Sequence, residues 1–301
     1  MVEQVAVGVP DGLDGARVDK AVAELLGLSR AQASALFTDG VEVDGEPATP
    51  SQRVQEGQVI RCRAPGGPQD LVPERVAFDV VHEDESVIVV DKPAGVVVHP
   101  GSGRREGTLV AGLIDRYPEL VGVGSAGRWG LVHRLDKDTS GLLCVARTAQ
   151  AFDDLSGQLR RREMSRIYTA LVEGSMDAPT GTIEAPIARD PARPTRQMIT
   201  PGGRHARTHY EVERYYEGSD VSLLTVTLDT GRTHQIRVHV GAIGHPVVGD
   251  WPYGAIRRDL DPPRIFLHAT SLELDHPVTR ERLKLASPLP DDLSTFLDRQ
   301  S

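Results

Sequence analysis

The chain has 301 residues, a formal net charge of −9 and 39% hydrophobic residues, a composition that can bury a core in one large and one small domain. Its two cysteines, Cys62 and Cys144, lie far apart in apolar segments, which excludes a disulfide framework or a cysteine zinc site and favours a reducing cytosol. The first residues lack the pattern of a signal peptide, and charges interrupt the most apolar segment, VIVVDKPAGVVVHP, so we expect no membrane span.

Residues 14–64 are predicted to form the small domain. An apolar stripe with helical spacing covers residues 18–26, and a second helix begins at Ser29, three residues before a glutamine that completes a capping box. The segment VEVDGEP alternates apolar and polar residues and turns at Asp44 and Gly45, which is typical of a β-hairpin, and QVIRCRA supplies a further strand. Two short helices followed by a hairpin indicate a binding module rather than a catalytic domain.

A proline- and glycine-rich linker is predicted at residues 65–75, before a large domain at residues 76–301. VAFDVVHEDESVIVVDK indicates a strand, an acidic turn and a buried strand that ends at Lys92, and RIYTALVEG and VSLLTVTLD indicate two more strands. LVAGLIDRYPEL and the segment after Thr148 have helical patterns. Because strands and helices do not alternate strictly, we predict an α+β domain with a mixed, mainly antiparallel sheet flanked by helices.

The segment HRLDKDTSGLL, beginning at His133, places a charged turn between two apolar stretches. Residues 138–141, Asp-Thr-Ser-Gly, are turn-forming residues, and we interpret them as such. Asp136 differs, because a turn needs no acid at that position, and Arg134 and Lys137 on either side favour its ionised form. A carboxylate that is charged at neutral pH suits a nucleophile or a base.

The segment DTGRTHQIRVHVGAIGHPVVGD contains a second candidate group. Its pattern favours a helix capped by Thr233 and ended by Gly244 over an alternating strand. Arg237 would lie in the first turns beside the apolar stripe, where an unpaired charge costs several kcal/mol, so it needs a carboxylate partner, for which Asp136 is the natural candidate. Tyr168, in SRIYTALVEG, is compatible with an ordinary strand aromatic and with a base-stacking residue.

The charge distribution gives two opposing indications. A net charge of −9 argues against nucleic acid as a partner of the whole surface. The segment from Gln158 to His209, however, contains nine arginines and five acidic residues. This excess predicts either a basic face that attracts a polyanion or a row of solvated side chains. The histidines follow no metal-ligand spacing, no glycine-rich nucleotide loop is present, and DKDTSG departs from the Asp-Lys-Thr-Gly pattern of aspartyl-phosphate enzymes.

With these motifs assembled, the sequence resembles the RluA/RluD-type pseudouridine synthases. The similarity covers nearly the whole chain and runs in family order through DKPAGVVVHPG, GLVHRLDKDTSGLL, RIYTALVEG, ARTHYEV, GRTHQIRVHV, GHPVVGDWPYG and LHATSLELDHP. The resemblance implies the pseudouridine synthase fold preceded by an S4-like RNA-binding module. It also implies isomerisation of uridine in RNA without a metal, ATP or an organic cofactor.

The family's functional residues can be carried over by position. Asp136 resembles the essential aspartate, Tyr168 the active-site tyrosine, and Arg237 the arginine that pairs with the aspartate. The side chains expected to contact RNA are Arg30, Lys92, Arg134, Arg160, Arg161, Arg196 and Gln235.

The resemblance favours large-subunit ribosomal RNA as the substrate of a cytoplasmic monomer. A tRNA substrate, a non-catalytic ribosome-assembly factor and a magnesium-dependent phosphotransferase remain as alternatives. Removal of magnesium would separate the last of these from an isomerase.

Overall fold

The computed structural model describes residues 4–26, 28, 33–34, 36–38, 40–63, 71–100, 106–124, 128–254, 257 and 259–301. The chain divides into two compact units, Met1–Leu71 and Val72–Ser301. Within the described ranges, no helix has the length and apolar character needed to cross a membrane.

The N-terminal unit packs one helix, α1 (Val18–Leu25), with a four-stranded sheet of order β1-β4-β2-β3. The strands of this sheet are β1 (Gln4–Gly8), β2 (Val41–Val43), β3 (Glu46–Pro47) and β4 (Val59–Arg63). The predicted stripe forms α1, in which Val18, Ala21 and Val22 are fully buried against the sheet. The predicted hairpin is β2–β3, and Asp44 and Gly45 have φ angles of 53° and 88°, the left-handed values of a tight hairpin turn.

Strand β1 extends this unit beyond the predicted boundary at residue 14. It pairs antiparallel with β4, where Val5 lies opposite Cys62. Five residues of alternating pattern were too short to stand out in the sequence, and only the pairing with β4 makes them a strand. Of the predicted second helix, Ala33 and Leu36 are buried in the core of the unit, whereas Ser29 lies outside the described residues.

The C-terminal unit is built on a large mixed sheet, which comprises nine strands in the part of the chain that the structure describes. These are β5 (Asp79–Glu83), β6 (Val87–Lys92), β7 (Ser140–Ala146), β8 (Ser165–Glu173), β9 (Thr180–Glu184), β12 (Arg207–Tyr216), β13 (Val221–Leu228), β14 (Leu267–Asp275) and β15 (Arg282–Ala286). Their order is β5-β6-β7-β14-β8-β13-β12-β9, and β15 pairs with β14. Only the β7–β14 pair among these is parallel, which confirms the mixed, mainly antiparallel sheet.

Shorter elements complete this unit. They are a separate β-pair, β10 (Ile187–Arg189) and β11 (Gln197–Ile199), and the helices α2 (Leu109–Arg116), α3 (Ala149–Arg161), α4 (Gln235–Ala242) and α5 (Asp291–Leu297). Thr108 and Thr148 cap α2 and α3 with their hydroxyl oxygens, which accept backbone N–H bonds. The start predicted for α4 was wrong by one residue, because His234 is its N-cap and adopts a left-handed φ of 54°. The predicted stripe is also shorter, since Ile243 is 41% exposed.

Gly141 brings the motif HRLDKDTSGLL into the middle of the large sheet. Its φ is 110°, and a Cβ at this position would lie 2.3 Å from the carbonyl oxygen of Ala269 on the parallel neighbour β14. The interpretation of residues 138–141 as a turn was therefore wrong for Ser140 and Gly141, which open β7. The glycine serves the close approach of two strands, so the loop that carries Asp136 is anchored directly to the sheet.

Candidate functional site

The C-terminal unit contains a cleft of about 560 Å³ between the loop before β7, strand β8 and the start of α4. We call it the arginine cleft, because eight arginines and two carboxylates line it within the described part of the chain. The arginines are Arg128, Arg134, Arg160, Arg162, Arg166, Arg204, Arg232 and Arg237, and the carboxylates are Asp136 and Asp229. A surface of this charge on a chain with net charge −9 attracts a polyanion to one place.

Asp136 and Arg237 form the predicted ion pair in the wall of this cleft. Nη1 of Arg237 donates a hydrogen bond to Oδ2 of Asp136 over 3.1 Å. The other edge of the guanidinium donates two bonds to a second carboxylate, from Nε to Oδ2 of Asp250 over 2.7 Å and from Nη2 to Oδ1 over 2.8 Å. The Asp250 side chain is fully buried, whereas that of Asp136 retains 17% exposure and faces the cleft. Arg237 is thus fixed by Asp250 and presents its remaining edge to Asp136.

His234 and Tyr253 close the other side of this pair. A hydrogen bond of 2.8 Å joins Nδ1 of His234 to the Tyr253 hydroxyl, and Nε2 of His234 lies 4.0 Å from Oδ2 of Asp136. The guanidinium carbon of Arg237 lies 5.0 Å from the centre of the Tyr253 ring, a cation–π contact. Burial lowers the pKa of His234, and the attraction of Asp136 only partly offsets this. A neutral imidazole therefore borders the carboxylate at neutral pH.

The backbone of the Asp136 loop is held by Lys92, which was expected to contact RNA. That expectation was wrong, because the Lys92 side chain is fully buried and does not line the cleft. Its ammonium donates to the carbonyl oxygens of Pro93, Val96 and Lys137 over 2.8, 3.0 and 3.0 Å. Burial lowers the pKa of Lys92, against the attraction of the neighbouring carboxylates. The lysine fixes the residue that follows Asp136 and has no free N–H directed at a ligand.

Tyr168 lies on β8 and lines the same cleft. It is 6% exposed, and its hydroxyl has no hydrogen-bond partner among the described residues. Burial raises the pKa of Tyr168, the cation of Arg166 partly counteracts this, and the carboxylate of Asp136 adds to the rise. The side chain is therefore a neutral phenol at neutral pH, and it lies close enough to Asp136 for an electrostatic interaction with that carboxylate.

Two buried donors beside Tyr168 lack partners within the described chain. Arg166 is 7% exposed and donates from Nη2 to the carbonyl of Leu228 over 3.1 Å, but its Nε is unpaired. His133 accepts the Cys144 N–H at Nε2 over 2.9 Å, so its proton lies on Nδ1, which is unpaired as well. Because an unpaired buried donor is costly, these two side chains in the cleft wall are suited to oxygen atoms of a ligand.

The other expected RNA contacts divide into three groups. Arg134 and Arg160 are exposed and line the arginine cleft, where their contact with RNA stays a prediction. Arg161 and Arg196 do not line it, and Arg161 instead pairs with Glu163 over 2.8 Å. Arg30 lies outside the described residues.

Gln235 also lines the cleft, but its side chain does not offer free hydrogen-bonding groups. Its Oε1 accepts from the Thr230 hydroxyl over 2.8 Å and from the Arg232 N–H over 2.9 Å, and its Nε2 donates to the Arg207 carbonyl and the Thr208 hydroxyl, both over 3.0 Å. The amide thereby holds the loop before α4 to β12, and a contact of this side chain with RNA stays a prediction. It is a structural tie beneath the cleft.

Asp250, His234, Tyr253 and Arg166 were missed at the sequence level. Asp250 and Tyr253 lie in GDWPYG, whose glycine and proline indicate only a turn. The sequence did indicate that a second carboxylate was needed. A buried guanidinium requires acceptors at both of its edges, and Asp136 can satisfy only one of them. Arg166 had a weaker signal, a cation on the same face of β8 as the buried residues Tyr168 and Ala170.

Comparisons with known proteins extend over both units. The profile of a family described as RNA pseudouridylate synthase matches residues 86–242. The chain is 44% identical to the ribosomal large subunit pseudouridine synthase D of Nitrosomonas europaea, over 97% of this chain and 87% of that protein. It is 47% identical to an uncharacterised RNA pseudouridine synthase of Chloroflexus aurantiacus, over 98% and 93% of the two chains. The solved structure of human RNA pseudouridylate synthase domain containing 1 superposes with a TM-score of 0.58 at 30% identity, covering 73% of this chain and 87% of that one.

Proposed function

Because this chain belongs to the RNA pseudouridylate synthase family and is an isomerase, we propose that it converts uridines of large-subunit ribosomal RNA to pseudouridine. The observation that carries the proposal is the 3.1 Å contact between Asp136 and Arg237 in the wall of the arginine cleft. The choice of ribosomal RNA rests on the names of relatives from Nitrosomonas europaea and Pseudomonas aeruginosa, 44% and 41% identical.

In this proposal Asp136 is the group that acts on the ribose. The bond from C1′ to N1 of uracil breaks, the base rotates, and a bond forms from C1′ to C5. C5 then loses its proton and N1 gains one, so atoms and electrons balance without an oxidant. A carboxylate serves this reaction either by attack on C1′ or by removal of a sugar proton, and the hydrogen bond from Arg237 holds the Asp136 carboxylate at the cleft for either role.

Tyr168 is proposed to hold the uracil during the rotation. Its buried ring provides a flat apolar surface in the cleft, and its hydroxyl has no competing partner among the described residues. Since burial raises its pKa, it acts as a neutral phenol, and any help it gives in removing the C5 proton must begin from that form. Arg166 and His133, each with a buried N–H that has no partner among the described residues, are proposed to donate hydrogen bonds to the uracil oxygens.

The N-terminal unit is proposed to be the S4-like RNA-binding module, on the basis of its sequence pattern and its small helix-and-sheet core. We also propose that the protein works as a cytoplasmic monomer.

The assignment is tested with Asp136→Asn, which keeps the size of the side chain but removes its charge. Large-subunit ribosomal RNA transcribed with uridine tritiated at C5 releases tritium when pseudouridine forms. We expect wild type to release it and Asp136→Asn to release none, with RNA binding and thermal unfolding nearly unchanged.

The matched control is Asp153→Asn, on an exposed side chain of α3 outside the cleft, which should retain wild-type activity. Tritium release by Asp136→Asn would defeat the assignment of Asp136. A wild type active only on tRNA would correct the substrate but leave the chemistry intact.

The exposed arginines of the cleft are proposed to bind RNA phosphates. A comparison of Arg160 with Arg161 tests whether binding depends on position in the cleft or on positive charge alone. Both end α3, but only Arg160 lines the cleft. We expect Arg160→Ala to weaken RNA binding and to reduce the salt dependence of the binding constant by about one phosphate contact. Arg161→Ala should leave both unchanged, and equal effects of the two variants would contradict the proposed RNA path.

A further inference from the structure

A second cavity, of about 340 Å³, lies on the other side of the Asp136–Arg237 pair. It shares Asp136, Thr139, His234 and Arg237 with the arginine cleft, so the ion pair stands between the two spaces. The proposed reaction places the uridine in the arginine cleft and leaves this second cavity without a role. We call it the tryptophan cavity, after Trp251 in its wall.

Trp251 is the most unusual feature of this cavity. The chain contains two tryptophans, and while Trp129 is 6% exposed, Trp251 is 52% exposed. Pro252, Pro263 and Ile265 add further apolar surface to the same wall. A large aromatic side chain exposed in a concave site typically marks recognition of a flat ligand rather than a contribution to the core.

The position of Trp251 is fixed by its neighbours in the chain. Asp250, directly before it, is held by the two hydrogen bonds from Arg237. Tyr253, two residues after it, is bonded to His234 and receives the Gln197 N–H over 2.6 Å. The indole is therefore attached to the same network that orients the Asp136 carboxylate, and a stacking surface on a rigid segment costs little to order on binding.

The charges of the cavity favour a nucleobase over a phosphate. Its three cations, Lys137, Arg237 and Arg264, are matched by three carboxylates, Asp136, Asp138 and Asp250, within the described lining. The cations are moreover engaged: Lys137 lies 3.9 Å from Asp138, and Arg264 lies 2.6 Å from Asp292. A neutral planar group with hydrogen-bonding edges fits such a site, because every base has a face that stacks on an aromatic ring.

We propose that the tryptophan cavity takes the nucleobase next to the target uridine and stacks it on Trp251. The inference rests on the proposed function, since it requires the uridine to occupy the arginine cleft. The two cavities meet at the Asp136–Arg237 pair. When one nucleotide of an RNA strand lies in the cleft, the neighbouring nucleotide therefore lies next to the indole. Trp251 then helps to select the sequence context of the modified uridine.

Fluorescence provides a test that does not depend on turnover. Oligouridylate is titrated into Asp136→Asn, Asp136→Asn/Trp129→Phe and Asp136→Asn/Trp251→Phe. We expect quenching in the first two proteins and none in the third, because stacking reports only on the exposed indole. Equal quenching with and without Trp251 would overturn the proposal, and so would its absence in all three.

Kinetics on a short stem-loop cut from the ribosomal transcript around the modified uridine provide the second test. We expect Trp251→Ala to raise KM by about tenfold or more, as for loss of one base–aromatic stack, with kcat little changed and Trp251→Phe intermediate. An abasic site beside the uridine should raise KM equally in wild type and add nothing in Trp251→Ala. Tyr215→Ala, which removes another exposed aromatic outside both cavities, is the matched control.

An unchanged KM in Trp251→Ala, or additive effects of the variant and the abasic site, would refute the stacking while leaving the enzyme's activity established. Absence of turnover in wild type would instead refute the proposed function, and the fluorescence titration would still decide whether Trp251 stacks on RNA. The two failures are therefore distinguishable.

Discussion

Lys92 and Arg237 are both buried cations next to the Asp136 loop, and they are stabilised by different partners. Lys92 is bound by three carbonyl oxygens and fixes the backbone at Lys137. Arg237 is bound by two carboxylates and fixes the side chain of Asp136. Because its hydrogen-bond acceptors are all backbone carbonyls, Lys92 positions the loop without a hydrogen bond to the Asp136 carboxylate. The second shares its charge between a buried anion and a partly exposed one, so that only the exposed one is available for chemistry.

The largest effect on stability and activity is expected from Arg237→Met, which tests the role of Arg237 in this comparison. It leaves Asp136 and the fully buried Asp250 without their counter-ion, and breaking a buried ion pair from one side costs about 3–5 kcal/mol. We expect a correspondingly lower free energy of unfolding in urea titrations and no measurable tritium release. Arg237→Lys keeps the charge but cannot be bidentate to Asp250 and reach Asp136 in the same geometry, so it should recover stability more than activity. Full activity in Arg237→Lys would show that the forked geometry is unnecessary.

The second variant is Lys92→Met, which is similar in length but has no donors. The carbonyl oxygens of Pro93 and Val96 lose the ammonium, whereas that of Lys137 still receives the Gly95 N–H over 2.9 Å. We expect the free energy of unfolding to fall by about 2–4 kcal/mol, from unsatisfied buried acceptors. RNA binding of the folded fraction should be retained, since Lys92 does not line the cleft. A selective loss of RNA affinity without loss of stability would restore the original expectation of an RNA contact.

The smallest effect is expected from Asp250→Asn. The amide keeps one acceptor for Arg237 but turns its NH2 group toward a donor, so we expect a loss of about 1–3 kcal/mol in stability. If Asp250 acts by orienting Arg237 toward Asp136, kcat should fall while KM for RNA stays near wild type. A change confined to KM would indicate instead that Asp250 shapes the tryptophan cavity, whose wall it shares.

The same two cations explain how far the sequence could predict the site. The Asp136–Arg237 pair was predictable and is confirmed, because a buried guanidinium requires an anion and only a few acids lie in suitable segments. The role of Lys92 was not predictable, because carbonyl acceptors come from any residue and leave no trace in composition. Asp250 was missed for a related reason: within GDWPYG an aspartate is equally explained by a turn.

Prediction of the fold from the sequence has the same limit, because pairing between distant segments is not visible in the local pattern. Strands β5, β6, β8 and β13 were predicted from apolar or alternating runs, and the antiparallel pairs β5–β6 and β8–β13 confirm their arrangement. Strand β1 and the parallel contact of Gly141 with Ala269 depend on partners distant in the chain, which local pattern does not contain.

The arginine cleft has a kinetic consequence for a protein of net charge −9. Since the cleft lining is positive, the rest of the chain carries a more negative net charge than the whole, and RNA is repelled where it meets that charge, outside the cleft and the proposed RNA-binding module. Encounters on the wrong face are therefore brief, and the search for a substrate is confined to orientations that already present the strand to the reactive carboxylate. Screening limits this selection to about 8 Å at physiological salt, so it acts on the last step of approach, after longer-range diffusion has brought the two molecules together.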